Sequence, residues 1–194
     1  PQLPQKWNKL TSMTLSYGHG ISVSSLHVAS AAASIINGGT LLPATIIQSD
    51  KPKLSGQKVI SQKTSETMRK LLRMVVENGT GRNAEAPGYM VGGKTGTADK
   101  SGVGGYKTTN VISSFIGAFP MNAPRYIILV QLDEPKGIEE SHGYRTGGWT
   151  AAPVVGQVIS KVAPLLGITP INNKSNSIIN VSSSGVEIKK RTMD

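Results

Sequence analysis

The chain has 194 residues, of which 38% are apolar and 22 are glycine; 21 Lys and Arg stand against 11 Asp and Glu, a net charge of +10, with no cysteine. That is one to one and a half ordinary domains with enough apolar side chains for a real core, so disorder throughout is excluded. The lack of cysteine excludes disulfides, thiolate metal sites and a cysteine nucleophile, and no apolar run approaches the ~18 residues of a membrane span.

A basic chain favours anionic partners. Here the charge is spread thinly, and two Trp, two Phe and five Tyr offer few platforms for stacked bases. The expectation is a basic solvated surface and no nucleic-acid partner. The chain opens Pro1-Gln2-Leu3-Pro4, with neither the basic nor the apolar region of a signal peptide.

Residues 1–21 read as an irregular lead-in. A first helix follows: Ser24 is its cap, and Leu26, Ala29, Ala33 and Ile36 recur at helical spacing. Asn37-Gly38-Gly39 stops it. Residues 40–47 read as extended. The clearest helix carries Met68, Leu71, Leu72, Val75 and Val76 on one face and Arg69, Lys70, Arg73 and Glu77 on the other. Asn78-Gly79 ends it, and residues 79–88 read as a loop. Three strands are predicted at 89–98, 110–119 and 126–133. Their short connectors, 102–107 and 120–124, make them antiparallel neighbours, because a parallel pair needs a longer crossover. A glycine-rich loop over 134–150 leads to a last helix at 151–166, with Pro153 in its first turn. From 169 to 194 the chain turns to Ser and Asn and reads as a flexible tail.

One stretch supports two chemistries. Gly88-Tyr89-Met90-Val91-Gly92-Gly93-Lys94-Thr95 spells the phosphate loop G-x-x-x-x-G-K-S/T. That loop must follow a buried strand and open a helix. Upstream lies Arg82-Asn83-Ala84-Glu85-Ala86-Pro87, and downstream Gly96-Thr97-Ala98-Asp99-Lys100-Ser101-Gly102, so neither flank fits. The other reading is a K-T-G box, Lys94-Thr95-Gly96-Thr97, on a strand. Two threonine hydroxyls and a lysine suit the terminal carboxylate of an extended peptide lying beside the strand. Gly96 leaves the strand edge without a side chain. Strand alternation puts Lys94 on the face opposite the threonines, so one site can use all three only at a rim. Four residues alone also fit a solvated strand.

The wider pattern resembles the class B penicillin-binding proteins, the monofunctional peptidoglycan D,D-transpeptidases. The residues that carry it are Ser16-Tyr17-Gly18-His19-Gly20-Ile21-Ser22-Val23, Asn37-Gly38-Gly39-Thr40, Val76-Glu77-Asn78-Gly79-Thr80-Gly81, Lys94-Thr95-Gly96-Thr97-Ala98 and Ala151-Ala152-Pro153-Val154-Val155, in that order. Tyr17-Gly18-His19-Gly20 and Leu132-Asp133-Glu134-Pro135-Lys136-Gly137 are most similar to the septal, cell-division type. The resemblance implies an α/β (α+β) fold of the transpeptidase and serine β-lactamase kind, an antiparallel sheet with helices on both faces. Residues 22–168 would be the C-terminal half of that domain. It implies Lys94 and Thr97 as catalytic residues: Lys94 in the proton-transfer network, and the Thr97 N–H as an oxyanion donor. It implies Thr95, Gly96 and Thr97 as binding residues for substrate or β-lactam, and Tyr144, Gly147 and Gly148 as candidate cleft-wall residues.

The chain departs from the family in two places. No Ser-x-Asn occurs, and the one Ser-x-x-Lys, Ser55-Gly56-Gln57-Lys58, sits close upstream of Lys94 in a Pro/Gly-flanked linker. The expectation is therefore part of a transpeptidase, inactive alone, whose serine nucleophile lies upstream. The other readings are a non-catalytic module that binds wall peptides or division partners, and, remotely, the nucleotide binder. By resemblance the parent acts on D-Ala-D-Ala stem peptides and takes up β-lactams. It would work in the periplasm from an inner-membrane anchor, among division proteins that include a membrane glycosyltransferase. No cofactor is implied. His19, His27 and His142 lack i, i+4 spacing, so no metal site is expected; His142 and Arg82 read as loop surface.

Overall fold

The computed structural model describes residues 2–4, 6–16, 18, 20–47, 55–102 and 105–171. The helices are α1 (Lys9–Leu15), α2 (Ser25–Ile36), α3 (Gln62–Asn78) and α4 (Ala151–Leu165). The strands are β1 (Thr40–Leu41), β2 (Gln57–Lys58), β3 (Gly92–Gly102), β4 (Gly105–Phe119) and β5 (Tyr126–Asp133).

Side-chain caps set two of the main helix starts. Ser24 Oγ accepts from the His27 N–H at 3.3 Å, and Ser61 Oγ from the Thr64 N–H at 3.0 Å. Each satisfies a donor that the first helical turn leaves without a backbone partner. Cationic side chains hold the end of α2 and the turn after it. Arg69 of α3 donates to the Ile36 carbonyl and Lys58 of β2 to the Gly38 carbonyl, both at 2.6 Å. Positive charge suits the negative end of a helix dipole. Arg73 ties α3 to the lead into β3: it pairs with Glu77 and Glu85 and donates to the Val91 carbonyl.

The main sheet is antiparallel in the order β3-β4-β5, so β3 is an edge strand. Alternation along β4 gives each face its own core. Phe115 and Phe119 face α4 and the end of α3, packing with Val76, Val155 and Ile159. Ala118 faces the other way, with Ile36, Met121 and the partly buried Ile35, Leu72 and Ile127. Helices thus cover both faces, as expected. Beyond the core, the β3–β4 register shifts between Asp99 and Lys100. There Lys100 bonds Glu134 and Asp133, and these hydrogen bonds raise its pKa above the usual lysine value. The ammonium is charged through the neutral range at the ordinary value already, and the shift extends that charge upward in pH. Its contribution is complete below the ordinary pKa of 10.5 and is lost only as pH rises past it.

Several expected boundaries move. Residues 1–21 are not irregular throughout, since Lys9–Leu15 is a helix capped by Asn8, whose Oδ1 accepts from the Thr11 N–H at 2.8 Å. It buries no residue, so no apolar period announces it. Only Thr40–Leu41 of the extended stretch 40–47 is a strand, because β2 offers just two partners. The loop 79–88 contains a 3-10 turn at Arg82–Ala84. The ladder between β3 and β4 runs on to the pair Gly102 and Gly105, so the expected connector 102–107 is mostly strand. The motif residues Tyr17 and His19 lie outside the described residues. So does the expected tail from residue 172 onward.

Phe115 is fully buried at the centre of the larger core. Phe115→Ala should lower unfolding stability by about 3–5 kcal/mol in a denaturant titration. A loss below about 1 kcal/mol would mean that this ring is not packed between the sheet and helices α3 and α4.

Candidate functional site

The candidate box lies where the sheet ends. Lys94, Thr95, Gly96 and Thr97 sit on edge strand β3, opposite Ile116, Phe115, Ser114 and Ser113 of β4. Thr95 and Thr97 share the face of Phe115 and Ser113, while Lys94 starts on the other face, where its stem helps line an apolar hollow of about 350 Å³ with Ala32, Met68 and Ile116. Its ammonium does not stay there. It reaches round the strand to the Thr95 carbonyl at 2.9 Å and the Thr95 hydroxyl at 3.4 Å. The strand edge is therefore the rim that alternation required, and it brings the lysine head to the threonines.

Above this face lies a cleft of about 690 Å³. Thr95 and Thr97 form one wall, Thr80, Arg82 and Asn83 another, and Thr146, Gly148 and Trp149 a third. Hydrogen bonds between elements lock the walls together. The Thr80 and Thr95 hydroxyls meet at 3.2 Å, Asn83 Nδ2 donates to the Gly148 carbonyl at 2.9 Å, and the Gly147 N–H donates to Thr97 Oγ1 at 3.1 Å. Buried Ser113 donates its hydroxyl to the Arg145 carbonyl, fastening the start of the same loop to β4. With Oγ1 of Thr97 accepting from the loop, its proton is left to donate to a ligand.

Gly147 is required by this close approach. A Cβ there would lie 2.2 Å from the Ser114 carbonyl oxygen and 2.7 Å from that of Gly96, both backbone atoms that cannot step aside. Gly96 differs: its absent Cβ would point at Ser114 Oγ, 2.5 Å away on the strand's other face, so only its backbone meets the cleft side.

Of the expected wall residues, Gly148 lines the cleft and Gly147 holds the loop down behind it. Tyr144 does not line it; its ring stacks on Trp149, with centroids 5.6 Å apart. His142 meets the edge of the same indole at 5.2 Å. The sequence reading named Thr80 only within its family motif and gave Trp149 and Asn83 no role; Arg82 is exposed, as expected of loop surface, and also lines the cleft. The signal available was the order Gly79-Thr80-Gly81-Arg82-Asn83: Gly81 is buried, with little room beside Phe115 and Val75, and the chain turns there toward β3.

The two motif coincidences dissolve. Gly92 to Thr95 are laddered to β4 and no helix opens at Thr95, so their amides cannot form a phosphate cradle. Ser55 is exposed ahead of β2, and Lys58 is engaged by Gly38 in a strand, so this Ser-x-x-Lys is not a nucleophile at a helix start. Among the described residues, no helix is long and apolar enough to cross a membrane.

Residues 2–160 match the penicillin binding protein transpeptidase domain family. The chain is 42% identical over 178 residues to a probable peptidoglycan D,D-transpeptidase FtsI of Caulobacter vibrioides, covering 87% of this chain and 30% of that protein. It is 38% identical over 173 residues to the stage V sporulation protein D of Bacillus subtilis, covering 83% and 26%. Among solved structures, it is similar to the transpeptidase domain of penicillin-binding protein 3 of Burkholderia pseudomallei, with 36% identity and a TM-score of 0.76, covering 86% of this chain and 49% of that one. It is also similar to penicillin-binding protein 3 of Mycobacterium tuberculosis complexed with ampicillin, with 26% identity and a TM-score of 0.77, covering 88% and 41%. The chain thus spans about 30% of the first curated relative and about half of the first solved domain.

Gly147→Ala tests the geometry directly. The added methyl should lift the loop from β4, cost about 1–3 kcal/mol of stability and speed hydrogen exchange at the Gly147 amide position. Unchanged exchange there would show that the loop does not depend on this approach.

Proposed function

The chain belongs to the penicillin-binding protein transpeptidase domain family, and from that premise we propose that it supplies the K-T-G wall of a peptidoglycan D,D-transpeptidase. The observation that carries the reading is the rim geometry, in which one strand edge gathers Lys94, Thr95 and Thr97 beside a cleft closed by the 147–149 loop. The reaction is acyl transfer. A serine hydroxyl attacks the carbonyl of the D-Ala-D-Ala bond, the terminal D-Ala leaves, and an amine of a second stem peptide takes the acyl group from the serine.

In this reading the cleft does three things. The Thr95 and Thr97 hydroxyls hold the terminal carboxylate of the donor. The Thr97 N–H stabilises the oxyanion as the carbonyl becomes tetrahedral, a kind of contact worth about 3–4 kcal/mol of barrier. Lys94 keeps positive charge at the rim and serves the proton relay around the serine. That serine comes from a Ser-x-x-Lys outside these 194 residues, with a Ser-x-Asn loop facing the box. A β-lactam enters as a mimic of the donor and stays on the serine as an acyl adduct. The septal, cell-division subtype, an inner-membrane anchor with this domain in the periplasm, and division partners that include a membrane glycosyltransferase complete the proposal. So do its domain limits, 22–168.

The test is intact mass after incubation with benzylpenicillin, on this chain and on an upstream-extended chain together. The extended chain should gain one penicillin mass and this chain none. In the extended chain, Lys94→Gln should slow acylation by about a hundredfold or more. An adduct on this chain would place the nucleophile among its own serines and overturn the reading. No adduct on either would leave a binding module.

A further inference from the structure

Two threonine hydroxyls are neutral, and a carboxylate held only by neutral donors loses much of what a charged partner supplies. The cleft contains such a partner on the wall facing β3. Among the described residues, Arg82 is the charged one lining it, and no acidic side chain lines it. Its nearest acidic neighbour in sequence, Glu85, is engaged by Arg73. Arg82 itself makes one long contact, from Nε to the Gly79 carbonyl at 3.4 Å, which orients the side chain and leaves the terminal Nη donors without a protein acceptor among the described residues.

The backbone that presents Arg82 is fixed on both sides. Two residues before it, Thr80 is bonded to Thr95 of the box; one residue after it, Asn83 is bonded to the Gly148 carbonyl of the opposite wall. Ala84, next in line, is fully buried. Arg82 therefore stands on a clamped turn among the residues that line the same cleft as Thr95 and Thr97. Lys94 cannot take its place, because its ammonium lies on the strand rim at the Thr95 carbonyl and is absent from the cleft lining.

We propose that Arg82 is a carboxylate-binding residue of this cleft, closing its guanidinium fork on the terminal carboxylate of the donor peptide or β-lactam while the Thr95 and Thr97 hydroxyls hold it from the other side. This rests on the transpeptidase reading above and adds a residue that the K-T-G box does not contain. The planar fork matches a carboxylate in a way that a point charge does not.

The experiment measures acylation of the upstream-extended protein by benzylpenicillin and by its methyl ester, which removes only the carboxylate charge. It compares the parent with Arg82→Gln and Arg82→Lys, resolving the dissociation constant of the first complex from the acylation rate constant. The parent should prefer the free acid. Arg82→Gln should cut the acid-to-ester preference about three- to tenfold, mainly through the dissociation constant, as expected for a charge-assisted contact open to solvent. Arg82→Lys should restore part of it, and added salt should shrink what remains. An unchanged ratio in Arg82→Gln, or an equal loss on acid and ester, would overturn the proposal, since a purely structural role lowers both alike. If neither compound acylates the parent, the transpeptidase reading itself fails and this assignment with it.

Discussion

The cleft depends on one close approach, that of the loop before α4 to the sheet at Gly147. A backbone N–H reaches Thr97 Oγ1 only because no Cβ stands between the loop and the carbonyls of Ser114 and Gly96. From that contact the rest follows. Ser113 can hold Arg145, Gly148 comes within reach of Asn83, and Trp149 is turned to the cleft mouth. A methyl group at this position is therefore a larger change than any conservative substitution among the hydroxyls that it positions. The site's rigidity comes from hydrogen bonds between segments far apart in sequence, which is how a glycine-rich loop with few apolar residues can be held still.

The sheet divides the protein's chemistry by face. The apolar side chains of β4 and β5 alternate between two cores, so neither face is free to carry polar groups over much of its area. Polar groups gather where the sheet stops: at edge strand β3 on one side, and at the Lys100, Asp133 and Glu134 cluster beyond the core. In the second cluster one lysine is paired with two carboxylates. The first holds Lys94 and Arg82, and among the described residues no salt bridge joins either to a carboxylate. In the proposed reading, these two cations are the charged partners of an extended anionic peptide lying against the strand edge.

Much of this is legible in the sequence, and the remainder fails for physical reasons. Helices α2 and α3 show themselves because each has a serine cap and an apolar period on one face. Strand β5 shows itself as a run bounded by turn residues. The box is legible because Lys-Thr-Gly-Thr is read from composition and order alone. Helix α1 is not, since it rests on the Asn8 cap and buries nothing. Trp149, Thr80, Asn83 and Arg82 escape because what makes them part of the site is a fold contact between residues tens of positions apart, such as that of Asn83 with Gly148. Arg82 on its own has the look of any loop arginine; Gly81 and Ala84, packed at either side of it, give it direction.

Lys94 shows how a core can aim a charge. Its stem begins over a hollow lined by Ala32, Ile35, Ile36, Met68, Leu72 and Ile116, which offers hardly any hydrogen-bond acceptor. An ammonium left in such a place would give up hydration with nothing in return. The four-carbon stem can lie along apolar surface while the head turns out to the nearest acceptor, and that acceptor is the Thr95 carbonyl at the strand edge. Arginine would not serve as well, because its wide planar head needs two acceptors in one plane and the edge presents a single carbonyl flanked by a hydroxyl. The apolar core on the far face thus places the cation at the site on the near face. A polar substitution in that hollow, far from any ligand, would act on the cleft by giving Lys94 somewhere else to go.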